Sequence, residues 1–201
     1  MFSRAGGLAY YDDLLNITWL ADPNYANTSG FTFGYDGAMK FSCGDEYGTQ
    51  QTACGYLGWL NAQAHLGVTG WRLPQTPTVD PSCDLSGYNC TGGEMGSLYY
   101  ITLGLAAGAP GAVGNSSPFA TIVAGDHYYW TGTLLSTEPP EPISRFGWGN
   151  GGREDSFGGA HFGTAHAWAV VDGDVILVPE PSTALLVGLG LLALATRKSL
   201  V

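Results

Sequence analysis

The chain has 201 residues, enough for one domain with a tail and short for two ordinary domains. It carries 31 Gly, 11 Pro, 6 Trp, 11 Tyr and 8 Phe with only 12% charged residues, a composition that disfavours long charged helices and favours short strands joined by glycine-rich loops. The formal charge is -10, and five of the seven basic residues but 16 of the 17 acids precede Pro179, so the body repels phosphate backbones and nucleic-acid binding is set aside.

In chain order, Ala9-Tyr10-Tyr11, Asp12-Asp13-Leu14-Leu15 and Asn16-Ile17-Thr18-Trp19-Leu20 predict strand, turn and strand. Residues 22–55 read as loop, opened by Asp22-Pro23-Asn24. Tyr56 to Leu66 predicts a helix with an apolar stripe of Leu57, Leu60 and Ala64 beside Trp59, ended by Gly67. Gly70-Trp71-Arg72-Leu73-Pro74 places Trp71 and Leu73 as core anchors and Pro74 at a strand exit. Arg72 either spans a buried carboxylate or backbone carbonyls with its forked donors, or binds ligand. A polar stretch, 75–93, precedes a second short helix from Glu94 to Leu103, and 104–120 is a small, glycine-rich loop. Tyr128–Thr133, His166–Val171 and Asp174–Val178 predict strands, the last two joined by a tight turn at Val171-Asp172-Gly173-Asp174. Short helices on an irregular antiparallel sheet define an α+β class.

Cys43, Cys54, Cys83 and Cys90 fit no CxxC zinc pattern. Loop cysteines in even number suit two local disulfides in an exported chain. Three pairings are open, free thiols are the alternative, and sequential pairing is expected.

The end of the chain is the most specific segment. Val178-Pro179-Glu180-Pro181-Ser182 precedes an apolar run from Thr183 to Ala195, followed by Thr196-Arg197-Lys198. Pro179 and Pro181 oppose helix and keep the approach extended. The run favours helix, and Arg197 and Lys198 hold its far end in the cytoplasm as an anchor stop. This order resembles the PEP-CTERM sorting signal of Gram-negative bacteria, with Val178, Pro179, Glu180 and Pro181 as the motif. The resemblance implies processing by an exosortase, a membrane anchor through residues 183–196, and delivery to the cell surface or exterior. It divides the chain into an extracellular domain, 1–178, and a sorting and anchor segment, 179–201. Residues 1–20 hold only Arg4 as a basic residue and no apolar run, so the export signal is expected upstream of Met1.

The body resembles a second family. Tyr11-Asp12-Asp13 with Leu15-Asn16-Ile17-Thr18-Trp19-Leu20, Trp59-Leu60-Asn61-Ala62, Gly70-Trp71-Arg72-Leu73-Pro74, Tyr129-Trp130-Thr131-Gly132-Thr133 and Ala167-Trp168-Ala169-Val170 are similar, in order, to the Lcl C-terminal-like domain. That resemblance implies a C-type-lectin-like fold related to formylglycine-generating enzymes and no general activity. The polar stretch at 75–93 departs from the family pattern.

Enzyme chemistry finds little footing. His161 and His166 are not spaced as in HExxH, and no GxSxG elbow marks a nucleophile. The sulfatase-activating relatives use cysteines late in the domain, and none follows Cys90. Asp12/Asp13 and Glu154/Asp155 are adjacent, so their side chains diverge. Calcium is possible at Asp22/Asn24, Asp45/Glu46 or Asp172/Asp174, which equally read as turn openers; no other cofactor is implied. Trp148, in Phe146-Gly147-Trp148-Gly149-Asn150-Gly151-Gly152, is the candidate exposed platform for a sugar ring. The expectation is a surface or matrix protein, not an enzyme, that binds or assembles with exopolysaccharide or surface partners. The alternatives are a polysaccharide-acting enzyme and a purely structural matrix component.

Overall fold

The computed structural model describes residues 1–31, 52–108, 118–119, 122, 128–134, 143–149, 151–156 and 165–175. Two antiparallel sheets and a few short helices form an α+β arrangement. The first sheet has strand order β1-β2-β3-β7, with β1 Phe2–Arg4, β2 Ala9–Asp12, β3 Ile17–Leu20 and β7 Val170–Asp172. The second has order β4-β5-β6, with β4 Tyr128–Leu134, β5 Ile143–Gly147 and β6 Gly152–Ser156.

The predicted strand-turn-strand at the start of the chain is present. Asp12 opens its turn: Oδ1 accepts from the Leu14 and Leu15 amides, and Asn16 takes a left-handed φ of 53°. Asp12 is buried, and its other oxygen accepts from the Thr102 hydroxyl at 3.1 Å. All four residues of β3 are buried, as befits an inner strand covered on both faces. Of the expected strands His166–Val171 and Asp174–Val178, the described residues hold Val170–Asp172. Val170–Asp172 pairs with β3, Trp19 facing Val170 and Ile17 facing Asp172, because the buried β3 offers a long-range partner. Residues 176–178 lie outside the described residues.

Helix α1 is Tyr25–Thr28, inside the segment read as loop. Helix α2 runs Ala53–Ala62, three residues earlier than predicted, because the Thr52 hydroxyl caps it by accepting from the Gly55 amide at 3.1 Å. It stops short of Gly67: Ala64 adopts φ 45°, and a 3-10 turn follows at His65–Gly67. Helix α3, Glu94–Ser97, continues as a π-helical turn, Leu98–Thr102, within the predicted span. Gly96 is obligatory there, since a Cβ would lie 1.7 Å from the Cys90 carbonyl oxygen.

The core is aromatic. Trp19, Trp71, Trp130, Trp148 and Trp168 are all buried, with Tyr56, Tyr99, Tyr129 and Phe146. Trp168 is its hub, with ring centroids 4.7 Å from Phe119, 5.0 Å from Trp19, 5.2 Å from Trp148 and 5.7 Å from Tyr129. Two isolated bridges tie the segments around this hub: Arg72 with Val170, antiparallel, and Tyr129 with His166, parallel.

Candidate functional site

Arg72 stands where three segments meet. Its amide donates to the Val170 carbonyl at 2.8 Å and its carbonyl accepts from the Val170 amide at 2.9 Å, which fixes the side chain beside β7. Asn61 of α2 fixes the preceding residues: its Oδ1 accepts from the Gly70 and Trp71 amides, and its Nδ2 donates to the Trp71 carbonyl. The Trp71 indole donates to the His65 carbonyl at 3.1 Å. The guanidinium then reaches Glu94 at the first turn of α3. Nη1 donates to Oε2 and Nη2 to Oε1, both at 2.8 Å, in a parallel fork. Nε and Nη2 also donate to Asp172 Oδ1, and Nη1 to the Leu73 carbonyl. A guanidinium has five N–H donors, and these contacts use them all. Glu94 in turn accepts from the Gln75 amide at 2.7 Å. The Glu94 hydrogen bonds, with lesser help from Asp172, hold the Arg72 pKa above its ordinary value against the opposing effect of burial.

Arg72 is therefore the carboxylate-spanning arginine of the two readings open in the sequence. Its loss is expected to read out as stability. Arg72→Ala strands Glu94, which is only 17% exposed, beside one remaining amide donor. The expected cost is ~2 kcal/mol, already reduced for the exposure of Asp172, with Arg72→Lys losing roughly half as much because the fork is gone but the charge remains. Urea midpoints check this; an unchanged midpoint for Arg72→Ala would return Arg72 to the ligand-binding reading.

Trp148 is corrected. It follows β5 in the turn leading to β6 and is 0% exposed, so it offers no platform to solvent. The glycines around it let the chain approach the core instead of displaying the ring outside. Gly151 has φ 76°, and a Cβ there would sit 2.6 Å from the Tyr99 ring. The Trp148 ring packs edge-on to Tyr99 at 5.5 Å.

Cys83 and Cys90 are joined, as sequential pairing requires. Cys54 is also disulfide-bonded; Cys43 lies outside the described residues. Closing the short Cys83–Cys90 loop restricts the unfolded chain by ~2.5 kcal/mol on the loop-entropy model. Asp80 lies with both sulfurs, the three ligand atoms within 4.8 Å of one another. A soft-metal site would need thiolates, and the disulfide consumes them. Asp80 instead accepts from the Ser82 and Gly92 amides and the Ser82 hydroxyl.

Of the carboxylates weighed as calcium ligands, Asp22, Asp172 and Asp174 are engaged within the fold. Asp22 accepts from the Asn24 amide and the Thr28 hydroxyl, as a turn opener does. Asp172 meets Arg72, and Asp174 forms a fork with Arg4. Asp45 and Glu46 lie outside the described residues. Next to Asp22 a cavity of ≈ 230 Å³ is lined by Leu8, Leu20, Ala21, Tyr25, Thr28 and His65. Burial lowers the His65 pKa, and the ring lies 4.7 Å from Tyr25. Sequence reading missed the cavity, because nothing local links Leu8, Tyr25 and His65. His166 is buried, with Nδ1 3.3 Å from Asn24 Oδ1.

Among the described residues no helix is long and apolar enough to cross a membrane. Val178, Pro179, Glu180, Pro181, the run 183–196, Arg197 and Lys198 lie outside them. Comparison with known proteins bears on that end of the chain. No curated protein and no solved structure matches the chain. Residues 177–199 match the family model described as the PEP-CTERM protein-sorting motif. The motif indicates an exported protein, anchored in the membrane before an exosortase processes it, and destined for the surface or exterior of the cell.

Proposed function

We propose that this is a cell-surface or extracellular-matrix protein of a Gram-negative bacterium whose body binds or assembles with exopolysaccharide or surface partners, without enzymatic activity. The match at 177–199 carries the reading, since it coincides with the Pro-Glu-Pro segment, the apolar run and the basic end. For the body, the support is the ordered set of motifs similar to the Lcl C-terminal-like domain, and with it a C-type-lectin-like fold. The engagement of Asp12, Asp80, Glu94 and Asp172 with donors of the fold itself supports a binding role over acid-base chemistry.

With Trp148 buried and Arg72 saturated, the cavity beside Tyr25 and His65 offers a ligand a place on the described body. A glycan array, run with and without calcium, tests the binding reading. Binding of the body to at least one exopolysaccharide fragment is expected. Binding to none in either condition favours the structural matrix component, and turnover of a bound glycan favours the extracellular enzyme.

A further inference from the structure

The last described residues before the sorting motif are fastened to the first sheet. Val175 is buried at 7% exposure, and its amide donates to the Thr18 hydroxyl at 3.2 Å. That hydroxyl donates to the Gly173 carbonyl at 2.7 Å, and the Gly173 amide donates to the Asn16 carbonyl at 2.8 Å. Asp174 is gripped by both arms of Arg4, Nε to Oδ1 at 2.6 Å and Nη2 to Oδ2 at 2.7 Å. Residues 173–175 are thus fastened to β1, β3 and the turn before β3, although they belong to no strand themselves.

Covalent geometry turns this into a limit on reach. Pro179 lies four residues beyond Val175, so even a fully extended chain places it within ~14 Å of Val175. That is little more than the width of one helix with its side chains, about 10–12 Å. A membrane-embedded enzyme would have to seat the Pro-Glu-Pro segment with the whole body pressed against it. Releasing 173–175 back to Asp172 adds three residues and brings the reach to ~25 Å.

We propose that residues 173–175, with Arg4 and Thr18, form a clasp that restrains the sorting motif, so that tail processing proceeds from the unclasped chain. The inference rests on the sorting reading above. Local opening of so short a segment costs far less than global unfolding, because Arg4 and Asp174 are at the surface and their ion pair is weak. The clasp therefore sets a rate without blocking processing.

The test uses the full chain, exported behind a secretion signal, as anchored precursor in membranes containing exosortase, with tail cleavage followed over time. One variant carries a six-residue Gly-Ser segment inserted after Val175, which lengthens the tether without altering any residue of the clasp. A second, Arg4→Ala, removes the grip on Asp174. The insertion is expected to raise the initial cleavage rate by about threefold or more, and Arg4→Ala to give a smaller rise in the same direction. Cleavage of the insertion variant at or below the wild-type rate would overturn the clasp while leaving the sorting reading intact. Absence of cleavage in both wild type and insertion variant would strike the sorting reading itself and take the clasp with it.

Discussion

Trp168→Ala is expected to lower stability by about 3–5 kcal/mol, a large part of the 5–15 kcal/mol that holds a typical domain together. The size follows from position. Trp168 is fully buried and touches Trp19, Phe119, Tyr129 and Trp148, so its removal opens a cavity bordered by rigid rings that cannot collapse into it. Its indole also donates to the Leu20 carbonyl at 2.7 Å, stitching the segment before β7 to the end of β3. Among the described residues, the buried indole nitrogens of Trp19 and Trp148 have no such partner. Trp168→Phe keeps most of the ring contacts and loses this bond, and should cost ~1–2 kcal/mol. Trp59→Ala, at a half-buried position on α2, should cost less than Trp168→Ala. Urea midpoints with near-ultraviolet circular dichroism would check the order; equal losses for Trp59→Ala and Trp168→Ala would deny Trp168 its central place.

The same hub explains what could be read from the sequence. Alternation and turn chemistry are local, so the β2–β3 unit, the Glu94 helix and the Tyr128 strand were legible from Tyr11-Asp12-Asp13, Glu94 to Leu103 and Tyr128-Tyr129-Trp130. The pairing of β7 with β3 spans most of the chain, and no local pattern encodes it. Strands β5 and β6 were hidden for another reason. Glycines flank Trp148 and mimic a surface loop, while the structure uses them to bring backbone close to Tyr99. For Arg72 the residue type announced a forked pair, but its partners, 22 and 100 positions away, are set by the fold. The sorting motif was legible because its match rests on the order of residues along the sequence.

Deleting residues 179–201 is expected to move the exported protein from the membrane and surface fractions into the soluble exterior. Glu180→Ala is expected to leave it in the membrane at full, unprocessed size. The two outcomes differ because they remove different physical features. The run from Ser182 to Thr196 has 15 residues and, as a helix, would measure ~22 Å at 1.5 Å per residue, against a hydrocarbon core of about 30 Å. Such a segment holds a protein in the bilayer with mismatch, through its apolar side chains and the cytoplasmic preference of Arg197 and Lys198. Deletion removes the affinity altogether. Glu180→Ala touches none of it, but takes the only charge from the Pro-Glu-Pro segment that the processing enzyme must recognise, so anchoring persists and cleavage stops. Fractionation with immunoblotting, in hosts with and without exosortase, separates the cases. In the host without the enzyme, wild type should match Glu180→Ala in size and location. An unchanged distribution of the deletion variant would mean that the body reaches the surface by contacts of its own, with the tail incidental to its address.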